Sequence, residues 1–395
     1  MPVAAGSQRQ WSHVKEVTTG TDPGTAYTVD RWLAGARISA PPEDVTSDEM
    51  RADRSRAPGV NGVRHVSGTF PFELSYGTFD DFIESAMCAA WVAAGSANSG
   101  ISGTVVAGTT NTLAGTGIGT NISAGDWVKV AGFVAPYTAN NGFFRATAAS
   151  ANLLTFAEAV DALSASRLAA ASAQTGISTQ KMANVTPGTT EKSISIELAD
   201  SGVSSFYRGR GCEVSKFSLS MQNSAKITGQ FDVVGFVLDG PAATKYRTGT
   251  DTAASTTSPI TSYSAQSFLF IDGVPVAIAT ALDFTLDNGM EDLIGLMQTT
   301  VYDILLGRSD LTGNVTFGFT GTTYDAKVLA NTHVAIRTQI IDATGTQGYA
   351  IDIPNVRLKA PSEDVTENKI FHTYPWAAEK DSTSGVLNMK IWRLV

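Results

Sequence analysis

The stretch that decides the fold is residues 66–91, VSGTFPFELSYGTFDDFIESAMCAAW. In its first half, Phe70, Phe72 and Leu74 alternate with polar residues and a proline, which is the period of a half-buried strand. Its second half carries two aspartates, followed by apolar residues at helical spacing. Acidic residues suit the first turn of a helix because of the helix dipole. We predict a strand followed by one principal α-helix at about 78–94.

Strand-like alternation recurs through the rest of the chain, whereas no other stretch has so clear a helical stripe. Ile194, Ile196 and Leu198 alternate with polar residues, as do several later segments. The predicted fold is therefore mainly β, a two-sheet sandwich or barrel with one flanking helix. Residues 1–40 are expected to form an extended N-terminal arm that ends in a strand near residues 31–39. Residues 239–266 read as a long loose loop that is functional or disordered.

Residues 97–180 differ in character from the chain on either side. Of these 84 residues, 48 are Ala, Gly, Ser or Thr and only six are charged. This segment contains several short strand-like patterns, and Asn141-Gly142 is a strong signal for a type I′ hairpin turn. We therefore predict a small inserted all-β module. The expected organisation is residues 1–96 as the arm and first part of the main domain, 97–180 as the outward-facing module, and 181–395 as the remainder.

Composition and motifs exclude several classes of function. The 28 Lys and Arg against 37 Asp and Glu give a net charge of −9 over 395 residues, which argues against a nucleic-acid binder. The chain lacks HExxH, GxSxG and P-loop motifs, so no catalytic, metal or cofactor site is expected. Cys88 and Cys212 form no disulfide framework. The longest apolar run, residues 86–94, is too short for a membrane anchor.

Two sets of charged residues are candidates for a functional role. Residues 43–56 hold eight charges in fourteen positions, which indicates either a solvated loop or an electrostatic contact between subunits. The inter-subunit candidates are Glu43, Asp44, Asp48, Glu49, Arg51, Arg54 and Arg56. The second set lies on the polar faces of predicted strands. We expect these polar faces to be exposed to solvent, and we call them wet faces, because the apolar faces form the core. Its members are Glu197, Asp232, Asp283 and Asp287.

The order of several short motifs resembles one protein family. Residues 66–91, followed by 193–197, 207–214, 312–317 and 349–356, resemble the corresponding elements of tail tube (major tail) proteins of long non-contractile-tailed, siphovirus-like bacteriophages. The resemblance covers roughly residues 40–96 and 185–395. No single motif is specific, and the shared order carries the resemblance.

The resemblance implies a structural virion protein and not an enzyme. Subunits of that family form rings, usually hexameric, that stack into a tube through which viral DNA passes. The implied partners are further copies of the chain, the tape measure protein and other tail proteins, with viral DNA as a transient passenger. The implied location is the virion, after assembly in the host cytoplasm. The four wet-face carboxylates would then line the lumen and repel phosphate.

A second interpretation remains open at the level of the sequence. A fibre, a decoration protein or a carbohydrate-binding module would have a similar composition rich in Thr, Gly and Ala. Such a protein would bind sugars through exposed aromatic side chains. Trp127 and Tyr137 in the insertion are the candidates for that role.

Overall fold

The fold is built almost entirely from antiparallel strands. The structure is a computed structural model, and it describes residues 6–49, 58–107, 111–156, 158, 168–247, 249–262, 267–276, 278–366, 369–380 and 389–395. In these residues 29 strands form one large sheet, one seven-stranded sheet and two isolated two-stranded ribbons. The predicted mainly β class is confirmed.

The elements of the first part of the chain are β1 (Arg9–Lys15), β2 (Thr28–Val29), β3 (Arg37–Ser39), β4 (Pro42–Val45), β5 (Val60–Arg64), β6 (Val66–Glu73) and α1 (Asp80–Ala86). The insertion contains β7 (Asn98–Val106), β8 (Thr112–Ala114), β9 (Trp127–Ala131), β10 (Gly142–Arg145), β11 (Ala148–Ser150), β12 (Leu153–Thr155) and β13 (Ala171–Lys181).

The remaining elements follow in chain order. They are β14 (Ala183–Val185), β15 (Ile194–Asp200), β16 (Ser205–Gln222), β17 (Thr228–Gly235), β18 (Val237–Ala242), β19 (Phe268–Ile271), β20 (Val274–Pro275), β21 (Ala279–Asp287), β22 (Glu291–Leu293), β23 (Asp303–Leu305), β24 (Asp310–Gly318), α2 (Thr323–Leu329), β25 (Val334–Ile341), β26 (Gly348–Leu358), β27 (Ser362–Thr366), β28 (Lys369–Ala378) and β29 (Lys390–Leu394). Short 3-10 turns occur at Gly6–Gln8, Thr138–Asn140 and Ser201–Val203.

The long strand β16 joins the two layers of the body. Its first half pairs with β15 and β18, whereas its second half pairs with β17 and β21. The strand passes from one layer to the other between Cys212 and Glu213, and its register against β17 shifts just after this point, between Val214 and Lys216. Trp11 of β1 meets Phe70 of β6 across the core, with ring centroids 5.3 Å apart. The body is thus a two-layer sandwich, and in the part of the chain described here its sheet does not close into a barrel.

The core between the layers is dominated by aromatic rings from residues 66–91 and their partners. Phe231 of β17 stacks on Phe72 at 4.7 Å and on Phe217 of β16 at 5.0 Å. Phe82 of α1 meets Trp32 edge to face at 4.8 Å. Each fully buried phenylalanine contributes about 1.5–3 kcal/mol of hydrophobic stabilisation. The stretch 66–91 therefore supplies both a strand of the sheet and the helix that covers it.

The principal helix is shorter than predicted. We expected a helix at about 78–94, but α1 ends at Ala86 because Cys88 adopts a positive φ of 46°. The chain then turns back, and the Val92 amide donates to the Asn184 carbonyl. The second helix, α2, was not predicted. It has seven residues, and only Tyr324 and Val328 pack against the core, so its apolar stripe is too short to reveal it.

The predicted extended arm is wrong, because residues 9–39 are folded onto the body. Strand β1 pairs with β15 over seven residues, and Tyr27 is fully buried. His13 lies at the centre of this attachment. Its Nδ1 is 2.7 Å from Asp30, and its Nε2 is 3.2 Å from Asp81 in the first turn of α1. Burial opposes a charge on His13, but the Asp30 and Asp81 carboxylates outweigh it and raise its pKa to about 10.

The insertion forms its own sheet, in the order β10-β9-β13-β7-β8-β12-β11, around a separate apolar core. The two ends of the insertion meet, since the Gly95 amide donates to the Lys181 carbonyl at 3.0 Å. The predicted Asn141-Gly142 turn is wrong. Asn141 is extended and Gly142 already pairs with Val130, so the β9–β10 connection is a longer loop over residues 132–141.

The His13 cluster predicts an alkaline loss of stability. The pKa of His13 is raised from 6.5 to about 10 on folding. Its stabilising charge is therefore fully present below about pH 6.5 and is lost as the pH rises toward 10. We expect the unfolding free energy to fall by a few kcal/mol over this window in the unaltered chain, and by much less in His13→Gln. Denaturant titrations at pH 6 and pH 9 measure the difference. His333→Gln, at a half-exposed histidine, is the control, and an equal pH response in all three proteins would contradict the prediction.

Candidate functional site

Three of the four predicted wet-face carboxylates lie on one face of the large sheet. Strands β17, β16, β21 and β24 are consecutive neighbours there. Asp232 and Asp287 both lie opposite Lys216, one on each side of β16. Asp283 lies four residues before Asp287 on the same face of β21, opposite Ser220 on one side and Asn314 on the other. Because residues at every second position share a face, the apolar residues between them point into the core.

The carboxylates on this face are only partly balanced by cations. Lys216 donates to Asp287 at 2.8 Å. Although partial burial opposes ionisation, this hydrogen bond lowers the pKa of Asp287 below its usual range. Asp232 accepts from Gln230 at 2.8 Å, and Asp283 accepts from the Asn314 amide at 3.0 Å. Neither Asp232 nor Asp283 forms an ion pair among the described residues.

The rest of this polar face consists mostly of small neutral side chains. Its hydroxyl and amide members include Thr69, Ser218, Ser220, Thr228, Gln230, Thr285, Thr312, Asn314, Thr316 and Thr373. Near its ends, Lys226 pairs with Glu73 at 2.7 Å and Arg308 pairs with Asp310 at 2.8 Å. Both of these cations therefore have a carboxylate partner, and Arg37 of β3, opposite Thr69 on the same face, is exposed.

Glu197, the fourth candidate, is not on a wet face. Its side chain is fully buried, and it pairs with Arg247, which is also buried. The Tyr246 amide donates a further hydrogen bond to it at 3.0 Å. The alternation along β15 correctly places Glu197 on the face that points away from the core residues Ile196 and Leu198. However, another segment of the chain, which includes Arg247, covers that face. The expectation of a solvent-facing carboxylate is therefore wrong at this position.

The covering chain is the segment that was expected to be a loose loop. In its described part, β18 extends to Ala242, and the following residues are tied to the body. The Thr252 amide donates to the Tyr27 carbonyl at 2.8 Å, and the Ile260 amide donates to the Leu74 carbonyl at 2.7 Å. Arg247 also pairs with Asp251. Residue 248 and residues 263–266 lie outside the described residues. Residues 239–242 belong to β18, and the other described residues of the segment form an irregular connection that these contacts attach to the body.

The described part of the charged segment, residues 43–49, begins in β4, which pairs with β5, and every residue of β4 is exposed. The last residue of β5, Arg64, also bridges to Thr300. Glu43, Asp44, Asp48 and Glu49 are exposed, as both interpretations of this loop require. Arg51, Arg54 and Arg56 lie outside the described residues. A contact between subunits at this loop stays a prediction.

The aromatic candidates for sugar binding do not form a binding surface. Trp127 is buried where the insertion meets the body, and its indole N–H donates to Asp352 at 3.2 Å. Trp392 donates to the same carboxylate at 3.1 Å. Burial raises the pKa of Asp352, although Arg145 and Arg337 nearby favour its charged form. Tyr137 is half-buried beside the core of the insertion. The prediction that Trp127 is an exposed sugar-stacking residue is wrong.

One surface was missed by the sequence analysis. The β22–β23 hairpin exposes six large apolar side chains, which are Leu293, Ile294, Leu296, Met297, Tyr302 and Leu305. The alternation that revealed the long strands is absent here, because each strand has three residues. The sequence did contain one signal of this surface. The apolar pair Leu296-Met297 stands where turn-forming residues such as Gly or Asn are expected.

Two further properties bear on the class of protein. No three His, Cys, Asp or Glu side chains within the described ranges are arranged to hold a metal ion. Among the same residues, no helix has the length and apolar character needed to cross a membrane.

The body has two β layers, a broad polar sheet face and exposed hairpins. This is the architecture of a structural protein, whose surfaces contact other molecules. The comparison with known families agrees. A family model described as phage tail tube protein matches residues 6–378, and the chain belongs to this family. It is therefore a structural protein of the phage tail, which assembles with itself and with other tail proteins. No curated protein is significantly similar to the chain.

The Glu197–Arg247 pair predicts a strong and asymmetric mutational response. Arg247→Met leaves a buried carboxylate without its cation, so we expect a loss of about 3–5 kcal/mol in unfolding free energy. Glu197→Gln/Arg247→Met should recover much of that loss, because the fully buried carboxylate is then neutral and Asp251, the other partner of Arg247, keeps Lys245 at 3.3 Å. Denaturant unfolding measures both. Arg308→Met breaks an exposed pair and serves as the control with little effect. A double variant no more stable than Arg247→Met would contradict this account.

Proposed function

We propose that this chain forms rings of six subunits that stack into the tube of a long non-contractile tail. The family match supports a tube subunit. The open sheet supports the ring, because an unclosed sheet leaves strand edges that a neighbouring copy can cover. In this proposal residues 1–96 and 181–395 form the tube body. The tape measure protein fills the tube before DNA does, and assembly takes place in the host cytoplasm.

The polar sheet face is the proposed lining of the channel. Asp232, Asp283 and Asp287 share this face with neutral hydroxyl and amide groups. Six copies would repeat these carboxylates as rings of negative charge, which keep DNA phosphates from binding during passage. Glu197 is left out of the lining set because it is buried. The chain performs no catalysis in this role and needs no cofactor.

The inserted sheet is proposed to project outward from the tube. Its bulk would obstruct a channel, and its two ends meet at Gly95 and Lys181, so it can be added without interrupting the body. It is held by a small apolar contact that includes Trp127, Met182 and Trp392. The burial of Trp127 removes the main support for a sugar-binding function.

The channel proposal predicts how charge reversal changes retention of DNA. Asp232→Lys/Asp283→Lys places two cations per subunit on the polar face, so tubes of this variant should retain short DNA duplexes that tubes of the unaltered chain release. Co-sedimentation of tubes with labelled DNA at low and at moderate salt measures the effect, which should weaken as salt rises. The matched control is Glu191→Lys, at an exposed position near the end of α1 on the other side of the sheet.

The outcomes separate the parts of this proposal. Equal retention by Glu191→Lys would mean that DNA binds the outside of the tube. A tube reconstruction showing the pore lined mainly by Lys and Arg would overturn the mechanism. If the purified chain forms neither rings nor tubes, and native tails do not contain it, the function itself is wrong.

Deleting the insertion should leave tube formation intact. A variant with a short Gly-Ser bridge from Ala94 to Lys181 joins two points that already lie side by side. Trp392→Thr is added because deletion would uncover that fully buried indole. Negative-stain micrographs should show tubes of unchanged pitch and smaller outer diameter. Loss of tubes by a deletion variant that still unfolds cooperatively would place the insertion in an inter-subunit contact.

A further inference from the structure

The β22–β23 hairpin presents a concentrated apolar surface to solvent. Leu296 and Met297 at its tip are 91% and 94% exposed, and Tyr302 is 70% exposed. With the other three apolar side chains of the hairpin, the exposed area is on the order of several hundred Å², comparable with the roughly 800 Å² that each partner contributes to a standard interface. Apolar patches of this size mark interaction sites.

The tip residues are not explained by folding. Leu296 and Met297 occupy the turn, and Met297 has a φ of 65°. That conformation favours Gly or Asn, which carry less steric penalty there. Two exposed apolar side chains at a turn, one of them in an unfavourable conformation, gain nothing for the isolated chain. They become favourable only when a partner covers them.

The hairpin is fixed in place before any partner binds. His65 Nδ1 is 2.7 Å from the Asp292 carboxylate, and the Arg64 amide donates to the Thr299 carbonyl at 3.1 Å. These contacts join the hairpin to residues 64 and 65, which lead directly into β6 of the body. A preorganised tip loses less conformational entropy on docking than a free loop does.

A second apolar surface lies at the opposite end of the same sheet. The hairpin connects the end of β21 at Asp287 to the start of β24 at Asp310. At the other end of these strands, Val365 pairs with Ile370, and the Phe319 amide donates to the Ile370 carbonyl at 2.9 Å. All three side chains are exposed, and we call them the far rim. The nine residues of β21 separate the two surfaces by about 30 Å.

We propose that the Leu296-Met297 tip of one copy docks on the far rim of the next copy along the tube. The partner is a second copy of this chain, because the family assembles with itself and the two apolar surfaces lie at opposite ends of one sheet. Such a head-to-tail contact does not close on itself, so it propagates as an open filament. The inference rests on the proposed tube and names the surfaces that stack it.

The first experiment removes the apolar tip without harming the turn. Leu296→Ser/Met297→Asn supplies residues that suit an exposed turn, so the variant should fold as well as the unaltered chain. We expect its critical concentration for stacking to rise by about tenfold or more, as for the loss of hot-spot side chains. Val17→Ser is the matched control, since Val17 is 94% exposed but lies outside both surfaces. Sedimentation velocity and micrographs give the assembly state, and thermal unfolding gives the fold.

The second experiment tests the pairing of the two surfaces. Val365→Thr/Ile370→Thr removes the far rim and keeps β-branched residues in the strands. Mixing this variant with the tip variant leaves one working tip and one working rim, so growth should stop after two layers. Oxidation of Met297→Cys/Ile370→Cys should give a covalent ladder that neither single variant gives. The native Cys88 and Cys212 are buried and do not interfere.

The results distinguish failure of the inference from failure of the proposed function. If the unaltered chain makes no tubes, the proposed function fails. If it makes tubes and the tip variant makes them at the same concentration, the hairpin does not stack the tube. If the tip variant is impaired while the rim variant is not, the tip docks elsewhere and the head-to-tail assignment is overturned.

Discussion

The structure depends on one strand that serves both layers of the body. In β16, residues up to Cys212 pair with β15 and β18, and residues from Glu213 onward pair with β17 and β21. Phe217 and Leu219 then point into the aromatic core, while Lys216 and Ser218 point to the polar face. A one-residue slip would exchange these sets. The positions of the core, the polar face and its carboxylates therefore follow from the register of this strand.

Alternation predicted the strands better than it predicted their surroundings. For Asp232, Asp283 and Asp287 it correctly separated polar from core positions, because one side of those strands faces solvent. At Glu197 the same alternation holds but the conclusion fails, because Arg247, fifty residues away in sequence, covers the polar side. The periodicity of a strand reports which residues share a face. It contains no information on what a distant segment places over that face.

Other errors have similarly local causes. Asn141-Gly142 has the sequence of a two-residue turn, but Gly142 begins β10, so the preference of the dipeptide is overridden by the sheet. The apolar stripe beyond Ala86 suggested a longer helix, although the chain leaves the helix at Cys88 to pair near Asn184. The β22–β23 hairpin escaped notice because six of its apolar residues are exposed, and only Val301 and Ile304 are buried. A surface that is completed only by a second molecule leaves no periodic pattern in one chain.

The low charge of the chain connects its two proposed surfaces. Most cations near the polar face have a carboxylate partner, as Lys216 has in Asp287 and Lys226 has in Glu73. The excess charge there comes mainly from Asp232 and Asp283, so the lining would be weakly acidic. Because salt screens charges beyond about 8–10 Å, such a lining would repel phosphate only at close range. Strong repulsion between stacked copies would oppose assembly, whereas the uncharged Leu296-Met297 tip adds attraction without adding charge. In the proposed tube, apolar contacts would hold the copies together, while the few unpaired carboxylates would keep DNA phosphates from binding.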